Sequence, residues 1–171
     1  MLGLTLSLLI GLAGGPPIRT VTKPLAAQLD PLRFMIGEWK AAANGAGAGG
    51  ESSIEPDLNG HVLVRRDHVL TKAGTAFDIY MMIYPDVSGL RAEYVDTEGH
   101  TIHYAATPGD GSSVRFDAPG SGRAPGYRLT YVAVGADRLH IRFEIAPPGG
   151  AYAVYSEGDM ARTWPPHTRR H

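Results

Sequence analysis

Residues 137–145, Asp-Arg-Leu-His-Ile-Arg-Phe-Glu-Ile, alternate polar and apolar side chains. Leu139, Ile141, Phe143 and Ile145 fall on one face; Arg138, His140, Arg142 and Glu144 fall on the other. A period of two suits a half-buried strand and does not suit an amphipathic helix. The pattern returns in 126–134, where Tyr127, Leu129, Tyr131 and Ala133 oppose Arg128 and Thr130. It returns again in 90–96, where Leu90, Ala92 and Tyr94 oppose Arg91 and Glu93. One buried face and one wet face mark antiparallel sheet.

Turn signals divide the rest of the chain at the same scale. Asn59-Gly60, Lys72–Gly74, Pro85–Gly89, Thr97–Gly99 and Pro108–Gly111 separate short β-leaning runs, and the chain carries 22 glycines and 13 prolines. Strands are expected over 34–43, 51–58, 61–70, 75–84, 90–96, 100–106, 112–118, 126–134, 137–145 and 151–163. About ten hairpin-linked strands predict an all-β, antiparallel up-and-down barrel, because closure removes the exposed edges. Before them, Leu29–Met35 is expected to form one short helical turn, with Asp30 as cap and Pro31 at the first helical position.

The N-terminal stretch reads differently. Leu2–Ala13 is an apolar run of 12, too short to span a bilayer and the length of a signal-peptide core. Small residues follow it, so residues 1–15 are expected to be a cleaved leader and the protein to be exported to the periplasm or beyond. No Lys or Arg precedes the run, which leaves a cytoplasmic protein as the alternative. Residues 16–28 read as a tether, 29–164 as the barrel and 165–171 as a disordered basic tail. With no Cys, thiol chemistry, disulfides and thiolate metal sites are excluded. A net charge of −1 gives no electrostatic attraction for nucleic acid or an anionic membrane, and neither partner is expected.

The ordered set Leu29…Gly37-Glu-Trp39, "DLNGHVL" (57–63) and "IYPDVSGLRAEYVDTEG" (83–99) resembles calycin barrels. It is most similar to the bacterial lipocalin-like domains of the DUF1579 type, and more distantly to nitrobindin and fatty-acid-binding barrels. The resemblance covers about residues 29–163. It implies that Trp39, in the Gly37-x-Trp39 start, plugs one end of the barrel beneath Arg162 of the last strand. These three roles are structural. It also implies that the first loop, Gly45–Gly50, closes over a ligand cavity.

Several chemical motifs fail on context. Gly45-Ala-Gly47-Ala-Gly49-Gly50 matches G-x-G-x-x-G, but no helix follows it to hold a pyrophosphate at its N-terminus. Gly50 precedes Glu51 rather than Lys, so the P-loop pattern fails too. His100 and His103 lie three apart on a strand and point to opposite faces, so no metal is expected. No serine sits in a nucleophile motif, and no catalytic residue is assigned.

What remains is a pocket. The tyrosines lie in predicted strands, and Met81, Met82 and Phe77 lie near them in sequence. A barrel of this strand number leaves room for a ligand, and Tyr and Met suit its wall. "VLVRRDHVL" can sit in two registers. If Val62 and Val64 face inward, so do Arg66 and His68, and a buried Arg suits an acidic ligand. If the register shifts by one, Arg65 and Asp67 face inward as a pair. The expected ligand-binding set is Arg66, His68, Tyr80, Met81, Tyr94, His103 and Tyr131. The expected function is non-catalytic binding or transport of a small hydrophobic molecule, acidic if Arg66 faces it, with no cofactor. Two alternatives stand beside it. One is a barrel isomerase, cyclase or hydrolase using Asp96, His103 or His68 as acid–base. The other is a haem-binding barrel using an imidazole such as His103 or His140.

Overall fold

The structure, a computed structural model, describes residues 24–42, 49–70 and 74–163. Ten strands form one antiparallel sheet: β1 (Gly37–Ala41), β2 (Gly49–Asp57), β3 (Val62–Leu70), β4 (Ala76–Asp86), β5 (Gly89–Asp96), β6 (Thr101–Pro108), β7 (Ser113–Ala118), β8 (Gly126–Ala133), β9 (Arg138–Ala146) and β10 (Ala153–Arg162). Each strand pairs with the next in sequence, and β1 pairs with β10, so the sheet closes into a barrel. This is the all-β up-and-down barrel that the alternation and turn spacing predict. Among the described residues no helix is long and apolar enough to cross a membrane. The expected leader and tail, and most of the glycine loop, lie outside the described residues; Gly49 and Gly50 open β2.

A 3-10 helix, Ala27–Met35, precedes β1. It begins two residues before the expected turn, and Pro31 lies inside it rather than at its start. Asp30 makes no cap; its carboxylate receives Arg33 Nε at 2.9 Å instead. Leu29, Leu32 and Met35 are fully buried and stop the barrel at the end where β1 begins. At the same end Trp39 donates Nε1 to the Met35 carbonyl at 2.8 Å, and the Arg162 guanidinium lies 4.1 Å above the indole. Arg162 Nη1 donates to the Ile36 carbonyl at 2.6 Å. Gly37 makes this possible: its φ is +150°, and a Cβ there would lie 2.1 Å from Arg162 Nη1.

Burial falls from this end to the other. Near the helix, Ile54, Leu63, Ile83 and Ala92 are at most 1% exposed. At the opposite end the inward side chains of Val69, Phe77, Tyr127 and Ile145 are only half-buried. Among the described residues the barrel is therefore plugged at one end by the helix and less tightly packed at the other.

Candidate functional site

β3 adopts the second of its two registers. Leu63, Arg65 and Asp67 point inward, and Arg66 and His68 point outward. The choice follows from packing. Leu63 pairs with Ile83 and Arg65 with Met81, so those four side chains share the interior. The same register places Tyr80 outside, 40% exposed, with the Arg66 guanidinium 5.4 Å from its ring centroid. The expectation of an inward Arg66 and His68 is thus corrected: a one-residue shift moves every side chain to the other face. His103 is also outside, paired with Glu93, because Ile102 and Tyr104 take the interior positions of β6. Of the seven expected binding residues, Met81, Tyr94 and Tyr131 face inward together. Arg66, His68 and Tyr80 gather on the outer face, and His103 stands apart.

The outer set lines an open groove of about 840 Å³ across β1–β5. Its charges are already matched: Lys40 meets Glu51 at 2.8 Å and His68 meets Asp78 at 2.8 Å. Exposed pairs of this kind hold little free energy and leave no strong attraction for a ligand.

The interior is built around Arg65. It is 7% exposed and directs its Nε to Asp67 at 2.9 Å, with Nη2 on the same carboxylate. Ser52 donates to Asp67 at 2.7 Å. Burial works against the guanidinium charge, but the Asp67 carboxylate outweighs it and holds Arg65 protonated. The guanidinium carbon lies 5.5 Å from the Tyr131 ring centroid, across the barrel. Tyr104, Phe116 and Tyr131 pack edge to face beside it, with centroids 6.1 Å apart in each pair. Burial pushes the Tyr94, Tyr104 and Tyr131 hydroxyls up, so all three stay neutral phenols.

Asp96 sits at the rim. Its side chain is 3% exposed and accepts from Tyr94 Oη at 2.9 Å and from the His100 and Glu98 backbone N–H groups at 3.0 Å each. Burial pushes this carboxyl up, but those hydrogen bonds and the His100 ring outweigh it and hold it below the usual carboxylate range. Asp96 is the acceptor of an Asx turn rather than a proton carrier. Asp96, Glu98 and His100 lie close enough to share an ion, but Glu98 and His100 are exposed and the Asp96 oxygens already serve the turn.

A smaller pocket has inward-facing residues in its wall. It has a volume of about 180 Å³ and opens between β2–β3 and β10, above the end of the short β1. Its wall includes Asp67, Val69, Ile141, Gly158 and Met160. Apart from its chain neighbours, no described residue places an atom within 4 Å of a Cβ built on Gly158, and the residue has no unusual φ that would require glycine. Ser52, Arg65, Asp67 and Gly158 were not in the expected set. Gly158 carried a readable signal, since an isolated glycine inside a strand leaves no side chain to pack there. Ser52 carried none. Compared with protein-family models and with curated proteins, the chain matches none.

Proposed function

We propose that this barrel binds and carries a small hydrophobic molecule, and that no catalysis is involved. The observation that carries the reading is the pocket of about 180 Å³ at Gly158. It is lined by half-buried apolar side chains (Val69, Ile141 and Met160), toward the less buried end of a barrel whose other end is tightly packed. Concave apolar sites with a few convergent polar groups are where small molecules bind.

The catalytic alternative has less support. His68 and His103 are 56% and 74% exposed on the outer face, and Asp96 is held ionised with its oxygens engaged. The haem alternative lacks a ligand among the described residues. His61, His68, His103 and His140 lie outside the barrel or in a turn and His100 is exposed at the rim, so among the described residues no imidazole points inward. We also read the chain as a calycin, of the lipocalin-like kind its motifs resemble. Arg162 over Trp39, the lead-in helix and the ten-strand meander support that reading.

The test is Gly158→Phe. Its side chain fills the pocket without a backbone conflict. A neutral fluorescent probe, N-phenyl-1-naphthylamine, is expected to bind the native protein and to lose at least about tenfold in affinity in the variant, while the melting temperature holds or rises. Native mass spectrometry of gently purified protein should show a bound small molecule that the variant lacks. Equal probe affinity in the two proteins would reject this pocket as the site.

A further inference from the structure

A hydroxyl deep inside the barrel has no partner among the described residues. Tyr131 is 1% exposed, and its Oη makes no hydrogen bond to any of them. Leaving a buried hydroxyl unpaired is costly, and such a group in a folded protein calls for a reason. Arg65, facing Tyr131 across the barrel, has a spare group as well. Its Nε and Nη2 are committed to Asp67, whereas Nη1 meets the Met81 sulfur at 3.9 Å. Sulfur is a weak acceptor, so this contact leaves most of the donor capacity of Nη1 unused. Neither Arg65 nor Tyr131 lines the pocket at Gly158, but its wall carries a neighbour of each. Asp67 holds Arg65, and Ile141 is the cross-strand partner of Tyr131. A ligand therefore reaches the pair only when side chains of that wall move, and Met160 is a flexible one.

We propose that the Tyr131 hydroxyl and Arg65 Nη1 together receive the polar head of the bound molecule, and that this head is neutral: an alcohol, a ketone or an amide on an apolar chain. This rests on the carrier reading above and names its ligand class. The charge balance selects the head. Asp67 already neutralises Arg65, so a carboxylate would place a second anion beside Asp67 in a medium of low dielectric, where like charges repel strongly. An ammonium would face Arg65 in the same way. A neutral oxygen accepts from Nη1 and from the Tyr131 O–H without disturbing the ion pair, and an alcohol can also donate to Tyr131 Oη.

The experiment displaces N-phenyl-1-naphthylamine with four competitors of similar length: 1-decanol, 2-undecanone, undecane and decanoate. The alcohol and ketone are expected to compete about tenfold better than the alkane or the acid at neutral pH, the scale of one hydrogen bond to a charged group. Tyr131→Phe should erase that preference while leaving the affinity for undecane unchanged. It should not lower the melting temperature of the free protein, because it removes an unpaired hydroxyl. Decanoate competing as well as decanol would overturn the assignment. So would a Tyr131→Phe variant that melts lower yet keeps the preference, since solvent would then be the partner of the hydroxyl. Failure of the probe to bind the native protein would reject the carrier reading itself; probe binding without a head preference rejects only the head-group assignment.

Discussion

Gly37→Ala tests how the plugged end of the barrel is held. The new Cβ would lie 2.1 Å from Arg162 Nη1, so the guanidinium must leave, and alanine must also adopt a φ of +150°. Such a backbone strain costs about 1–3 kcal/mol. The displaced Arg162 loses its 2.6 Å bond to the Ile36 carbonyl, worth about 1.5–3 kcal/mol for a charged donor. It also loses its position 4.1 Å over Trp39, worth about 0.5–2 kcal/mol. The low ends alone give about 3 kcal/mol of destabilisation. Arg162→Ala alone removes the last two contributions, about 2 kcal/mol at the low end. In the Arg162→Ala background, Gly37→Ala has nothing left to displace and should cost only its strain, about 1 kcal/mol. The two substitutions should therefore couple by about 2 kcal/mol. The assay is urea unfolding of all four proteins, followed by circular dichroism, with the denaturant slope checked for constancy. Additivity within about 0.5 kcal/mol would refute the argument, because it would mean that Gly37 and Arg162 do not depend on each other.

Two more perturbations probe charge. Asp67→Asn leaves Arg65 buried without its counter-ion and should cost about 3–5 kcal/mol, whereas the double change Arg65→Met, Asp67→Leu should cost much less. Equal losses in urea unfolding would show that Arg65 finds another partner or reaches water. On the outer face His140 directs Nδ1 to Asp159 at 2.8 Å and Nε2 to Glu157 at 2.9 Å, and these hydrogen bonds raise its pKa. A raised folded-state value means that the contribution to stability is complete below the ordinary histidine value of about 6.5 and is lost as pH climbs through the higher folded one. Imidazole NMR should place the midpoint above that ordinary value, and His140→Gln should flatten the pH dependence of the urea midpoint in that window. A midpoint at or below the ordinary value would refute the double bond.

The architecture was legible because its signals repeat. Turn residues bound ten segments of similar length, and 90–96, 126–134 and 137–145 alternate clearly, so an error of one or two residues at a boundary, as at Asp86 or Ala153, leaves the strand count intact. The site was less legible because it hangs on a single register. In "VLVRRDHVL" an apolar residue stands on both faces near the start, and Val62, Leu63 and Val64 are all buried. Periodicity in β3 therefore could not choose between Arg65 with Asp67 and Arg66 with His68. The choice is made by neighbours. Met81 and Ile83 need the interior, and Ser52 arrives opposite Asp67 from β2 to complete its hydrogen bonds. That information is distributed over three strands. It also reverses the electrostatics of the interior. Arg66 alone would have faced a ligand as an unbalanced cation and asked for an acid. Arg65 comes with Asp67 two residues later, so the pair is neutral as a unit, and the polar capacity that remains is one guanidinium N–H and one phenol. A single residue of register thus separates an anion site from a site for a neutral head, and the rank order of decanol and decanoate in the displacement assay reads out which of the two this barrel is.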